Sequence, residues 1–477
     1  MEPQGGDRRG HGGREEELWQ RALQSDPVQS AQLLRVLGDV RWRPRSWRAR
    51  RRFDRLSTVA LVCPAEPPAG LVFELVVRRA CAGDGGVEDS VAVSPDGTLV
   101  AAIGQVSGRE GVSAHLWNLP DATGEKKLTG PGLEALAIAP DGGFLLGAGC
   151  DGTVRVWELP AGRPVATLPC PGARCLAVSP DSRLFMAGST DGVRVWELPG
   201  ASPRPTLAVS GPGVQQLAVR SDGCLLAGAV GDGALNTQGY TQIWHLPGGE
   251  PGPTIDVNQK HIRALAFVEG GLLAGSCAAD GRLLMWHTDT GKLHSELGRT
   301  TSDFGWLVSS AADGTLLAAS AALSETIHIW DFHTKRLVGQ GTGSGDWFSL
   351  AVAPDKSFIV AGGRWGDVQW RALPSANPAR EGYVPWRLAA DSIPSEVSVV
   401  DSLAVTPDSS VVAAKKNGSV DIYRSVLRRL ATTSPGAYRE SDHDALDELD
   451  KHAPDAPLSE QSWIRFVKLL AQEHARA

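Results

Sequence analysis

Hydrophobic positions change period twice along the chain. Over residues 14–38 the spacing is helical and predicts two short helices. The second has Asp26 as N-cap, Pro27 at its first position, Gly38 just past its end, and Val28, Ala31, Leu34 and Leu37 along one face. From about residue 71 to 430 the pattern becomes short apolar or alternating segments bounded by Pro, Asp and Gly, which predicts strands. Near the end the helical period returns. A helix is expected from near Ser459, after Pro457, with Trp463, Phe466, Val467, Leu470 and Ala471 in one stripe. That stripe suits packing on the N-terminal helices or, alternatively, a partner-binding peptide.

The strand region repeats. Each unit has an apolar strand ending in Ser/Ala-Pro-Asp-Gly, a small-residue strand, an Asp-Gly turn and an alternating strand ending in an aromatic. The clearest copies are Leu136-Ala-Ile-Ala-Pro-Asp-Gly142 with Asp151-Gly-Thr-Val-Arg-Val-Trp157, and Leu176-Ala-Val-Ser-Pro-Asp181 with Asp191-Gly-Val-Arg-Val-Trp196. First strands start near Val91, Leu136, Leu176, Leu217, Leu265, Val308, Leu350 and Leu403. Closing aromatics are Trp117, Trp157, Trp196, Trp244, Trp286, Trp330, Trp370 and Tyr423, which makes eight units. Asp-Gly suits a hairpin turn needing positive φ, and Pro-Asp-Gly presets a turn. One such sheet cannot bury both faces alone; stacking the sheets around an axis and closing the ring can.

These repeats resemble WD40 repeats over roughly residues 71–430, which implies a β-propeller. Two departures stand out: Trp-Asp survives only at Trp330-Asp331, and the usual Gly-His dipeptide is missing. The family's buried His–Asp–Trp network is therefore expected to be lost. The expected fold is all-β, an eight-bladed WD40-like propeller with small α-helical N- and C-terminal extensions. The eighth unit lacks an outer strand after Tyr423. Leu71–Val77 is expected to supply it and close the ring, the runner-up being residues 425–430. The expected organisation is a disordered segment 1–13, a helical Arg/Trp-rich extension 14–56, the propeller 57–430, and an acidic linker with an amphipathic helix over 431–477.

Composition narrows the function. The 55 Gly and 31 Pro fit many tight turns, and a net charge of −7 argues against nucleic-acid binding by the whole molecule. No apolar run is long enough to span a bilayer, and Glu15, Glu16 and Glu17 stand where a signal peptide needs its apolar stretch. A cytoplasmic location is expected, and the excess of Arg over Lys suggests a high-GC, bacterial source. Seven cysteines without a C-x-x-C pair are expected to be small buried thiols, with no zinc site.

Residues 41–55 hold eight Arg interleaved with Trp42, Trp47 and Phe53, so Arg41, Trp42, Arg43, Trp47, Arg50, Arg51 and Arg52 form a possible docking segment. Its arginines could pair with acidic residues of the chain, the stretch Glu440–Asp450 above all, or dock a protein. Nucleic acid and anionic lipid are the alternatives.

Catalytic signatures are missing: there is no G-x-S-x-G, P-loop, H-E-x-x-H or dinucleotide fingerprint. Gly339–Gly345 reads as a flexible connection rather than a phosphate cradle. His115, His245, His287 and His328 belong to different blades, so no shared metal, and no cofactor, is expected. The resemblance implies that the propeller's top face holds peptides or partner domains. The residues two places before each first strand are Asp89, Glu134, Arg174, Gln215, Arg263, Trp306, Phe348 and Asp401, with Trp347 and Trp365 nearby. They divide the mouth into acidic, basic and aromatic sectors, which suits a protein segment of mixed character. The function expected is a non-catalytic protein–protein interaction scaffold within a larger assembly, with no membrane partner. A propeller hydrolase or lyase with a channel site, or nucleic-acid binding through residues 41–55, are the alternatives.

Overall fold

The computed structural model describes the chain apart from residues 1–10, 66, 68–72, 81–90, 106–111, 120–122, 131, 232–238, 257–261, 278–280, 300–305, 312, 322–325, 333–335, 343–346, 357, 364–367, 374–399, 409, 416–418, 453–457 and 476–477. Two compact units emerge: Leu75–Tyr423, and the combination of Met1–Glu74 with Arg424–Ala477.

Leu75–Tyr423 is an eight-bladed β-propeller; among the described residues its strands form eight antiparallel sheets. Blade two shows the plan, with an inner strand Leu133–Ile138, a middle strand Phe144–Gly149, a closing strand Thr153–Glu158 and an outer strand Arg163–Pro169. Alternation along the closing strand assigns its two faces to two different neighbours. Val154 and Val156 pack against Phe185, Ala187 and Trp196 of blade three, while Trp157 packs against Ala101, Ala114 and Leu116 of blade one. The same rule places Trp244 against Val193 and Val195, and Trp286 against Ile243. Among the described residues, the closing indoles thus wedge against the preceding blade.

The joint between first and last blades obeys it too. Trp117 lies with Val420 and Ile422 of blade eight, whose sheet runs in the order Phe73–Ala80, Ser419–Ser425, Val411–Lys415, Val400–Val405. The segment preceding blade one is therefore the fourth strand of that sheet. Residues 425–430, the runner-up for that strand, are not β-structure: Val426–Ala431 is a helix.

Middle strands are rich in small residues for two reasons. At Gly147, Gly228 and Gly275 an added Cβ would fall 2.9, 2.9 and 2.7 Å from the closing Trp of the same blade. At Gly188 and Gly362 it would instead meet Val214 and Val400 of the next blade.

The other unit is helical: α1 His11–Gln24, α2 Pro27–Asp39, α3 Trp47–Val62, α4 Val426–Ala431, α5 Glu440–His452 and α6 Leu458–Ala475. Asp26 caps α2 by accepting from the Gln29 amide at 2.9 Å. The core draws on both chain ends. Trp19, Leu34, Leu37, Phe53 and Leu56 pack with Trp463, Phe466, Val467 and Leu470, so the C-terminal stripe lies on the N-terminal helices.

Several expectations need correction. α3 runs across the expected boundary at 56/57, and the stretch expected to be an acidic linker is α5. Helix α1 begins at His11, inside the segment expected to be disordered, the rest of which lies outside the described residues. Gly38 does not terminate α2; it sits in the last turn, and Arg41 takes the left-handed position at φ 54°. Residues Gly339–Thr342 belong to the outer strand Arg336–Thr342 rather than to a connection. Cys63, Cys170 and Cys175 are buried as expected, but Cys150 and Cys224 are exposed. Burial pushes the Cys63 and Cys170 thiols up to about 12.

Candidate functional site

In every blade the inner strand starts at one end of the ring and finishes in a tight turn at the other. Those finishing turns explain the Pro-Asp-Gly signature. Asp96, Asp141, Asp181, Asp222, Asp313 and Asp408 each accept the amide two residues on, at 2.9–3.2 Å. In blade one, Ser94 Oγ donates to the Asp96 carboxylate at 2.6 Å and accepts from the Leu99 amide at 2.9 Å. Arg220 takes the serine's place in blade four and donates to Asp222 at 2.9 Å. These hydrogen bonds, from Ser94, Ser179 and Arg220 respectively, lower the pKa of Asp96, Asp181 and Asp222 below the ordinary carboxylate value.

The residue after the aspartate is left-handed: Gly97, Gly142, Gly223 and Gly314 fill it, but so do Ser182 and Lys356. Both exceptions reach the preceding blade. Ser182 Oγ accepts from the Asp141 amide at 2.9 Å, and Lys356 Nζ donates to Asp313 and, at 2.8 Å, to Thr315. This end of the ring is structurally committed.

The opposite end, the mouth, is built differently. Most inner strands begin with a register shift, and the shift falls on residues that the sequence singled out. Glu134 lies between Leu133, paired with Gly149, and Ala135, paired with Ala148, so it faces no residue of the middle strand. Gln215, Arg263, Phe348 and Asp401 occupy the same position in their blades. An extra residue at a strand end is left unpaired, and the strand bends locally there. Arg174 directly precedes the inner strand Cys175–Val178 and is exposed. Trp306 differs: it pairs in register with Ala321 as the first residue of its strand. Asp89 lies outside the described residues.

Each of these residues belongs to its own blade, so they line one rim rather than forming a cluster. Glu134 is half-buried, and Gln215 is tied down through Nε2, which donates to the Gly231 carbonyl at 2.9 Å. Phe348 is 39% exposed. Trp347 does not add aromatic bulk to the mouth; it is fully buried with Ile327, Ile329 and Ile359 in the joint between blades six and seven. Trp365 lies outside the described residues.

The Asp-Gly hairpins after the middle strands end at the same mouth. There Arg155 pairs with Asp151, and Arg194 with Asp191 at 3.0 Å, across the start of the closing strands. These ion pairs were not foreseen, although Asp-Gly-x-Val-Arg and Asp-Gly-Val-Arg carry them in the sequence. Charge at this side of blades two and three is thus fixed in place.

The histidines of the closing strands make local pairs. His115 Nδ1 lies 2.8 Å from Glu125, His287 lies 3.1 Å from His294, and burial lowers the His328 pKa. Among the described residues no three His, Cys, Asp or Glu side chains are grouped to hold a metal ion. Among the described residues no helix is long and apolar enough to cross a membrane.

The docking segment is engaged in part within the helical unit. Trp42 and Trp19 pack edge-on to Phe53 at 5.7 and 5.5 Å. Arg52 pairs with Glu473 at 2.8 Å, Arg43 with Asp54 at 3.3 Å, and Arg50 donates to the Pro44 carbonyl at 2.7 Å. The expected pairing of this segment with the acidic stretch 440–450 is not what forms. Asp442 of that stretch pairs with Arg429, and Asp447 and Asp450 pair with Lys468. Arg41, Arg43, Trp47, Arg50 and Arg51 remain exposed.

Residues 125–158 and 162–197 match the family described as WD40: WD domain, G-beta repeat. Among solved structures, the chain is similar to the C-terminal WD40 domain of Sif2 at 14% identity and TM-score 0.56, covering 74% of this chain and 99% of that one. It is similar to the computationally designed Ika8 protein at 18% identity and TM-score 0.53, over 72% and 99%. A third similarity, to Kuenenia stuttgartiensis hydrazine synthase, has 15% identity and TM-score 0.49 over 61% and 97%. No match to the chain is found among curated proteins.

Proposed function

The chain belongs to the WD40-repeat β-propellers, and from that premise we propose that it is a non-catalytic protein-interaction module, a subunit or adaptor holding a partner's segment at the mouth of its ring. The observation that carries this is the repeated register shift, which puts Glu134, Gln215, Arg263, Phe348 and Asp401 at one position of five inner strands. A bulge at the same place blade after blade leaves one unpaired residue per blade at the mouth, differing in chemistry from blade to blade, while the rest of each ladder stays paired. The chemistry changes by sector around the rim, with acid at Asp401 and Glu134, Arg at Arg174 and Arg263, and aromatic residues at Trp306 and Phe348. Such a mixture suits an extended peptide or loop with both charges and an apolar anchor.

The test is affinity capture from the source organism with the whole chain and its rim variants. Phe348→Ala and Arg174→Glu, both exposed and outside the core, are expected to lose the partner that the unaltered chain retains, with the thermal midpoint unchanged. Retention of every partner by the combined variant would count against the proposal.

A further inference from the structure

The helical unit carries a second surface, which neither the propeller fold nor its mouth explains. Along α3 and α6 runs a groove of about 1320 Å³, lined by Trp47, Arg51, Arg55 and Val62 on one side and by Arg465 and Leu469 on the other. Small-molecule clefts usually hold about 300–1,000 Å³, so this one is of a size for a polypeptide. We propose that it docks an acidic amphipathic helix of a partner protein.

Three features support that occupant. First, apolar surface is left open: Trp47 is 70% and Val62 65% exposed, although the same helix buries Phe53, Leu56 and Ala60 completely. Second, Trp47 is held ready, because the Arg51 guanidinium one turn along lies over its ring at 5.8 Å. Aromatic and arginine side chains held in place this way dominate the energetics of interfaces. Third, the charge in the groove is lopsided within an acidic molecule. Arg50, Arg51, Arg55 and Arg465 line it against Asp54 and Asp450. The two aspartates are already paired, with Arg43 at 3.3 Å and Lys468 at 2.7 Å. Arg55 is partly engaged by Glu473 at 3.5 Å.

A nucleic-acid backbone would satisfy the arginines, but it would leave Val62 and Leu469 without apolar cover. A helix with Leu on one face and Glu along its edges satisfies both the apolar and the basic parts of the groove.

The experiment measures fluorescence anisotropy with the full chain and four probes: a designed helix about five turns long with Leu on one face and Glu at its flanks; the same helix with Lys for every Glu; oligothymidine; and phosphatidylserine vesicles. The Glu helix is expected to bind about tenfold or more tighter than the Lys helix. Arg51→Glu with Arg465→Glu should loosen it by about the same factor, as should Trp47→Ala. The propeller variant Phe348→Ala should leave it unchanged, which separates this surface from the mouth. Failure of the Glu helix to bind, equal binding of the two helices, or indifference to the groove variants overturns the proposal. So does tighter groove-dependent binding of oligothymidine or vesicles. All the substituted side chains are exposed, and circular dichroism verifies that the helices persist.

Discussion

At residue scale, Arg41 shows how local geometry overrides composition. Its amide donates to the Gly38 carbonyl at 3.0 Å, and the Trp42 amide donates to Leu37 at 3.1 Å, which together close α2 in a Schellman arrangement. The left-handed residue of that arrangement is usually glycine, and here it is arginine. Gly38 lies closest to the end of the apolar period, but the helix runs on to Asp39 and the chain reverses at Arg41. Arg41→Gly is expected to stabilise the protein by about 1 kcal/mol, since only the left-handed strain is removed. The change in urea midpoint measures it, and a lower midpoint would contradict it.

The Asp turns were legible residue by residue because their chemistry is local. They also set a pH dependence. Asp96, Asp181 and Asp222 have folded pKa values below the ordinary carboxylate value of about 4. Their contribution is therefore complete above pH of about 4 and is lost as the pH falls through the lower folded values. The urea midpoint should drop between pH 5 and pH 3, and Ser94→Ala with Ser179→Ala should make that drop smaller. An unchanged drop would remove these turns from the account.

At the scale of elements, the strands and the terminal helices could be read because alternation and helical spacing are strong. α3 was missed. Its capping Ser46 and its buried face of Phe53, Leu56, Ser57 and Ala60 are visible in the sequence, yet the interleaved arginines mask the apolar period. The positions two before each first strand can be named from the repeat, but the bulge that falls on five of them cannot. A bulge is a property of register, and one strand's pattern does not reveal the other strand's pairing.

Blade eight adds a buried element that pattern alone does not show. Lys415 donates to Asp421 at 2.6 Å with both side chains essentially inaccessible, and the Tyr423 hydroxyl donates to the same carboxylate at 3.1 Å. Removing one member strands a charge, so Lys415→Met should destabilise the protein by about 3–5 kcal/mol. Lys415→Met with Asp421→Leu should recover most of that loss. A calorimetric series of the two variants decides it; equal losses in both would mean that packing, not charge, holds the site.

For the whole molecule, the eight repeats and their closing aromatics specify the ring because each indole must find the blade before it, and Trp117 finds blade eight. The helical unit was less legible. Its core joins Trp19 and Phe53 to Trp463 and Phe466, more than 400 residues apart in sequence, and no local period announces such a pairing. The mouth and the helical groove offer surfaces of different chemistry, one mixed and one basic with an apolar floor.

The most direct measurement places a photo-crosslinking amino acid at Phe348, at Arg174, or at Leu293 and Leu337, which are exposed on outer strands away from the mouth. Adducts with a partner protein are expected at positions 348 and 174 and not at 293 or 337. Adducts at the outer strands with none at the mouth would contradict the account.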